Sequence, residues 1–393
     1  MRKVIIFLMG LGLTCDCLAQ TYGVGHRQIM FTDPDRQDRQ VLTEIYYPAT
    51  IGGEEVPVGG ESDTRFPLLV FGHGFVMEWG AYANFWSTLV PQGYILAFPR
   101  TESGLTPSHL TFGQDLAYLV SAIQAEGENM DSPFFGKVDT SSCVMGHSMG
   151  GGSSFLAVQY NPSITAIVNF AAAETNPSAI SACPAVSIPA LLFAGANDCI
   201  TPAESNQQLM YDSLGSACKT MVTIAGASHC QFAEQNVFCS FGELTCSPAP
   251  EISRAEQHQL VDTLLIPWLA YHLKGSCEAS AQFQSILLNA SNAWTSQQVC
   301  EPCFPVSAAE LNKDPLFQVY PMPSLGNFQL KGPSGIQPPT VHIYSAYGML
   351  VYQQKLENPI NDQWEINAKL NPGVYSLMVS YNSQVETLKV IIQ

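Results

Sequence analysis

Basic residues are scarce in this chain. Lysine and arginine fill 16 of 393 positions against 33 aspartates and glutamates, for a formal net charge of −17. Nucleic acid and anionic membrane surfaces both call for a basic face, so neither is expected as a partner. Charge of either sign is thin, at 12% of residues against a usual ~25%. Long apolar runs are lacking too. The run Val4–Leu13 falls short of the ~20 residues that span a bilayer, and no other run comes near that length, so no membrane span is expected. Cysteine is absent beyond residue 303, and all 12 cysteines lie at or before that point. What is present is an apolar content of 46%, ample for a packed core in a chain of two or three domains. That many cysteines with so little charge suggest an oxidising compartment.

The ends of the chain differ from its middle. Arg2 and Lys3 precede the apolar run, and Cys17 and Ala19 place small residues at −3 and −1 of a cut before Gln20. Residues 1–19 therefore read as a secretory signal peptide. Residues 304–318 open near Pro305 without a clear period and read as a linker. Residues 319–393 hold short alternating strands between turn residues, the pattern of a small β-sandwich. Four lysines balance four acids there, so the acidity belongs to the part before it. Tyr320-Pro321, Gly348, Gly373-Val374-Tyr375 and Lys389 resemble, in order, the landmarks of the C-terminal sorting domain of type IX secretion in Bacteroidetes. Met322 stands where that family usually has Asn. The resemblance implies the type IX machinery as partner, passage through the outer membrane and a secreted or cell-surface location. A plain immunoglobulin-like binding module is the alternative.

Residues 20–303 alternate apolar strands with amphipathic helices, which implies an α/β fold with a mostly parallel sheet flanked by helices. Strands are expected over Gln28–Phe31, Val41–Tyr47, Phe66–Phe71, Tyr94–Phe98, Ser142–Met145, Ile164–Phe170, Ala190–Ala194 and Thr220–Ile224. Helices are expected over Ala81–Val90, Gly113–Gln124 and Arg254–Leu273.

Gly146-His147-Ser148-Met149-Gly150 follows a strand and opens a helix, the setting of a nucleophile elbow, which makes Ser148 the candidate nucleophile. A serine hydroxyl needs a positioned base. Asp198 and His229 come later, each just past the end of a strand, in the order that this arrangement requires. His229 is the expected base and Asp198 its orienting acid. The other histidines fit less well. His73 lies in a loop after a strand, and His147 is too near the serine. His258 and His272 lie on the last helix, and His26, His109 and His342 lack a strand-end position. A tetrahedral intermediate needs fixed N–H donors. The backbone of Met149 and of Phe75, after Gly72-His73-Gly74, are the expected pair. Phe75, Trp79, His147 and Met149 are the candidate substrate contacts.

These stretches, with Asn197-Asp198, Thr201-Pro202 and Gly226-Ala227-Ser228-His229-Cys230, resemble α/β-hydrolases of the dienelactone hydrolase and cutinase-like group. Within it they resemble the polyester hydrolases that act on poly(ethylene terephthalate), in the branch found in Bacteroidetes. The resemblance implies a secreted serine ester hydrolase on ester or polyester substrates. Well-known members carry Trp where this chain has His147, and a further Trp in a loop that here, over residues 171–177, has no aromatic residue. The alternatives are a general carboxylesterase or lipase on small or lipid esters, and a non-catalytic surface binding protein.

Ten cysteines follow the signal. Cys199 adjoins Asp198 and Cys230 adjoins His229, so a Cys199–Cys230 bridge is expected to brace the site. Cys183 with Cys218, Cys239 with Cys246, and Cys277 with Cys300 or Cys303 are further candidate pairs, and Cys143 is expected to be a buried free thiol. The one C-x-x-C pair, Cys300 and Cys303, has no second pair to complete a zinc site. No metal or cofactor is expected.

Overall fold

A computed structural model describes residues 22–289, 292–300, 316–333, 336–345, 350–357, 359, 362–381 and 384–393. The expected signal peptide and most of the expected linker lie outside these residues. The chain divides into two compact units. The first runs to Lys274 and takes in 292–298; the second holds Gly275–Asn289 and the residues from Val299 on.

The first unit is built on a ten-stranded sheet. Its strands are β1 (Gly23–Asp33), β2 (Arg39–Ala49), β3 (Gly53–Glu54), β4 (Phe66–Gly72), β5 (Ile95–Pro99), β6 (Val138–His147), β7 (Ala166–Phe170), β8 (Ala190–Gly195), β9 (Lys219–Ile224) and β10 (Trp294–Val299). They lie in the order β10-β9-β8-β7-β6-β4-β5-β2-β1-β3. From β5 through β4, β6, β7 and β8 to β9 every pairing is parallel. β2 joins antiparallel to β5, and β1 antiparallel to β2. Every residue of β4, β5, β7 and β8 is buried. That is the mark of strands covered on both faces, and it explains why they read as unbroken apolar runs.

Helices α1 (Ala83–Leu89), α2 (His109–Glu128), α3 (Met149–Val158), α4 (Ala179–Ala182), α5 (Gln207–Ser213) and α7 (Arg254–Lys274) supply that cover, and α6 (Val237–Glu243) adds no buried residue to it. Leu116, Leu119, Val120 and Ile123 of α2 join Val41, Ile45, Leu68 and Val70 in one apolar cluster. Phe155, Ile167, Leu192, Met210 and Leu214 form another. α2 starts earlier than the sequence suggests because the Ser108 hydroxyl accepts the Thr111 amide and caps it. α4, α6 and β10 have no counterpart among the sequence expectations, whereas α5 holds Asp212, which the sequence places in a helix. α4 to α6 are short, of four to seven residues, too brief to display a period. No described helix is long and apolar enough to cross a membrane.

The second unit opens with α8 (Cys277–Leu288), capped by Ser276. Its strands are β11 (Gln318–Tyr320), β12 (Asn327–Lys331), β13 (Thr340–Ser345), β14 (Leu350–Lys355), β15 (Gln363–Asn367), β16 (Gly373–Tyr381) and β17 (Gln384–Ile392). They form two sheets, β11-β12-β15 and β14-β13-β16-β17, antiparallel throughout. Phe328, Leu330 and Ile366 of one sheet share a core with Val341, Ile343, Leu377, Val379 and Val390 of the other. This is the expected sandwich.

Candidate active site

Ser148 sits between β6 and α3 with φ 55° and ψ −120°, a conformation that costs a non-glycine residue about 1–3 kcal/mol. The surroundings over-determine it. Its amide donates to the Phe170 carbonyl at 3.0 Å, and its carbonyl accepts the Gly152 and Ala173 amides at 3.1 and 2.9 Å. Close approach explains the flanking glycines. A Cβ on Gly146 would strike the Gly150 backbone, and one on Gly150 would strike the Gly72 carbonyl. The end of β4 and the start of the loop after it therefore rest directly on the first turn of α3.

The candidate acid and base come together from the ends of β8 and β9. His229 Nδ1 lies 2.8 Å from Asp198 Oδ2, and both side chains are almost wholly buried. The other carboxylate oxygen accepts the amides of Ile200 and Thr201, each at 2.8 Å. The Thr201 hydroxyl stands 2.9 Å from Asp198 Oδ2, 3.0 Å from His229 Nδ1 and 3.1 Å from the Ala171 carbonyl. Burial alone would push the Asp198 carboxyl up. The charge and hydrogen bond of His229, with the Thr201 donors, outweigh burial and hold it below its ordinary value.

The last residue of β6, His147, precedes the serine and packs against His229. The His147 ring centroid lies 4.7 Å from that of His229, and His147 Nε2 lies 3.1 Å from the His229 carbonyl. His147 Nδ1 lies 3.1 Å from the Tyr82 hydroxyl, which accepts the Gly74 amide at 2.7 Å. One direction satisfies every group: Gly74 N–H donates to Tyr82, Tyr82 O–H to His147 Nδ1, and His147 Nε2–H to the His229 carbonyl. Burial, with the nearby His229, holds the His147 pKa well below its ordinary value, so the ring is neutral as this chain of bonds requires. Among the described residues no hydrogen bond engages the Ser148 hydroxyl, His229 Nε2, or the amides of Phe75 and Met149. Those four groups are the ones left free for a substrate, and such contacts tighten only when one is bound.

Some sequence expectations need correction. His147, expected among substrate contacts, is fully buried with both nitrogens occupied, so it positions its neighbours instead. Met149 is 3% exposed whereas Phe75 is 48% exposed. Trp79 carries the Arg100 guanidinium 4.1 Å above its ring. His73 is buried, with ring nitrogens 2.9 Å from the Gly74 carbonyl and 2.8 Å from the Thr101 carbonyl, and so pins the loop.

The bridges also differ. Cys199 pairs with Cys246 and Cys230 with Cys239, not Cys199 with Cys230 or Cys239 with Cys246. The unforeseen helix α6 is the reason, for it carries Cys239 to Cys230 and leads Cys246 to Cys199. Cys183 is a free buried thiol, not a partner of Cys218, and Cys143 is likewise free and buried. Cys218, Cys277 and Cys300 are disulfide-bonded, and Cys303 lies outside the described residues.

Sequence reasoning missed four supporting side chains. Thr201 completes the carboxylate shell. Gln207 donates to the Ala172 carbonyl at 2.6 Å and to Thr201 Oγ1 at 3.3 Å. Gln257 on α7 grips the backbone of Ser228, accepting its amide and donating to its carbonyl at 3.0 and 2.9 Å. Tyr82 links the two loops. Only Thr201 carried a local signal, three residues after an aspartate whose side chain can bond the backbone just ahead.

Residues 41–244 match the family described as PET hydrolase-like. The chain belongs to this family. The matched span holds Ser148, Asp198 and His229. A second match covers residues 318–393, the secretion system C-terminal sorting domain. Among curated proteins, the bis(hydroxyethyl) terephthalate hydrolase of Streptomyces coelicolor (strain ATCC BAA-471 / A3(2) / M145) is 28% identical over 189 residues, 47% of this chain and 54% of the relative. The chain thus spans about half the length of the curated relative it matches.

Proposed function

We propose that this PET hydrolase-like chain is a serine ester hydrolase acting through an acyl-enzyme on Ser148. One observation carries the reading. A buried Asp198–His229 pair packs, through the ring of His147, against the strained elbow that holds Ser148. In the first step His229 Nε2 takes the Ser148 proton as Oγ attacks the ester carbonyl. The Phe75 and Met149 amides hold the resulting oxyanion. The alcohol leaves with the proton from His229, and the acyl group stays on Ser148. Water, deprotonated by His229, then attacks the acyl-enzyme and releases the acid. Asp198 fixes the imidazole tautomer and stabilises the imidazolium.

Polyester or cutin-like esters are the substrate class we infer, supported by the family and by the relative's terephthalate diester. The competing reading is a general esterase or lipase on small or lipid esters. Residues 1–19 are the export signal, 20–303 the catalytic domain, 304–318 a linker, and 319–393 the address for the type IX machinery that delivers the enzyme to the cell surface. Ser148→Ala tests the chemistry. Turnover of a short p-nitrophenyl ester should fall at least about 10³-fold, and unchanged turnover would refute the assignment. Soluble monomer released from amorphous polyester film separates a polyesterase from a small-ester enzyme.

A further inference from the structure

Apolar side chains on a surface helix normally face the core. In α6 they do the reverse. Not one residue of Val237–Glu243 is buried. Val237 is 80% exposed, Phe238 66%, Phe241 76% and Leu244, just past the helix, 74%. Val237, Phe241 and Leu244 follow an i, i+4, i+7 spacing with Phe238 beside them, so they share one stripe. Scattered exposed apolar residues need no explanation, but a contiguous stripe does.

What holds this stripe in place ties it to the reaction. Cys239 of α6 is bridged to Cys230, next to His229, and Cys246 beyond it to Cys199, next to Asp198. The only ionisable residue of the helix, Glu243, turns back to accept the Cys230 amide at 2.9 Å. The stripe also continues into the acid's own loop. Ile200, 41% exposed, lies close enough to α6 that a Cβ on Gly242 would touch it at 3.7 Å. An apolar face is thus fixed by two covalent bonds to the residues flanking acid and base.

We propose that this face is a binding platform for the uncharged apolar chain of a polymeric ester, seating segments next to the one being cleaved. It rests on the ester-hydrolase reading above. The chemistry of the occupant follows from the surroundings. The stripe offers no charge and no hydrogen-bonding side chain, so it suits a surface of rings and methylenes. An anionic lipid surface fits poorly, because the chain carries net charge −17 and would be repelled.

The test compares the full chain with a Phe238→Ser/Phe241→Ser/Leu244→Ser variant and with Phe238→Leu/Phe241→Leu, which keeps the face apolar. All three side chains are exposed, so loss of fold is not expected, and melting curves check it. Adsorption to amorphous polyester film is measured in each, and again on a Ser148→Ala background where nothing is hydrolysed. Losing this apolar contact should weaken adsorption of the serine variant about tenfold or more. Its loss of film hydrolysis should exceed its loss on p-nitrophenyl acetate at least about fivefold, while the leucine variant adsorbs like the parent. Undiminished adsorption of the serine variant overturns the platform. So does a parent that is dimeric, a serine variant that is monomeric, and equal adsorption by both, since the face then serves self-association. If the parent fails on p-nitrophenyl acetate, the ester-hydrolase reading fails, and adsorption of the Ser148→Ala pair still decides the platform.

Discussion

Two segments flank the Asp198–His229 pair, and they are held by opposite means. The elbow around Ser148 is fixed from within, by glycine contacts at van der Waals limits and by backbone hydrogen bonds to Phe170, Gly152 and Ala173. The segment after His229 buries no residue of its helix and is fixed from outside by the Cys230–Cys239 and Cys199–Cys246 bridges. Geometry of the nucleophile tolerates no slack, so close packing suits it. A surface presented to a large apolar partner must stay exposed, so it cannot be anchored by burying its own side chains. Covalent ties resolve that conflict.

This contrast fails if the elbow accepts bulk. Gly150→Ala forces a methyl group into the Gly72 and His73 carbonyls, and those are backbone atoms that cannot rotate away. We expect a loss of about 3 kcal/mol or more in stability and near-complete loss of ester turnover, read by thermal melting and a p-nitrophenyl assay. It fails from the other side if the bridges are idle. Removing Cys199–Cys246 as a double alanine variant opens a loop of sequence separation 47 and should cost about 2–4 kcal/mol. The same variant should adsorb less to polyester film, because one of the two ties that hold the apolar stripe beside the site is gone while Cys230–Cys239 remains. A melting temperature within error of the parent would show that α6 is anchored by something else.

A smaller effect tests how the elbow and the base are joined. Tyr82→Phe removes the hydroxyl that accepts Gly74 N–H and faces His147 Nδ1. It leaves a buried amide unpaired, at a cost of about 1–3 kcal/mol. On the proposed mechanism, turnover number should fall about tenfold with little change in KM, because the loop of Gly74 and the His229 backbone lose their common tie while the substrate's apolar contacts remain. Equal changes in both constants would assign Tyr82 to packing alone.

The same contrast explains what could be read from the sequence. The elbow was legible because its constraints are local: five consecutive residues with glycine at both ends, after an apolar strand. Asp198 and His229 were legible from strand ends in sequence order, and the buried strands from their unbroken apolar runs. α6 was not, because seven residues make barely two turns and its apolar side chains face outward, against the usual pattern. Its cysteines misled for a related reason. Proximity of Cys199 to Asp198 and of Cys230 to His229 in the chain says nothing about which way each side chain points. Tyr82, Gln207 and Gln257 act across long separations, and only the fold brings them to the site.

Asp198 is where the two modes of anchoring meet. Its Oδ1 is held by amides of the loop that the Cys199–Cys246 bridge secures, and its Oδ2 by His229 and Thr201. Because its folded pKa is held below the ordinary 3.8, the stability it contributes is full above that value and is lost as pH falls through the folded one. Thr201→Val deletes one donor to the carboxylate while keeping the shape of the side chain. The folded pKa then rises toward the ordinary value. Stability at neutral pH should drop by about 1 kcal/mol, and acid unfolding should begin at a higher pH than in the parent. Thr201→Ser restores the hydroxyl and should restore both. If the acid transition of Thr201→Val overlays that of the parent, the amides of Ile200 and Thr201 suffice to hold the charge. The carboxylate would then be governed by the bridged loop rather than by the hydroxyl.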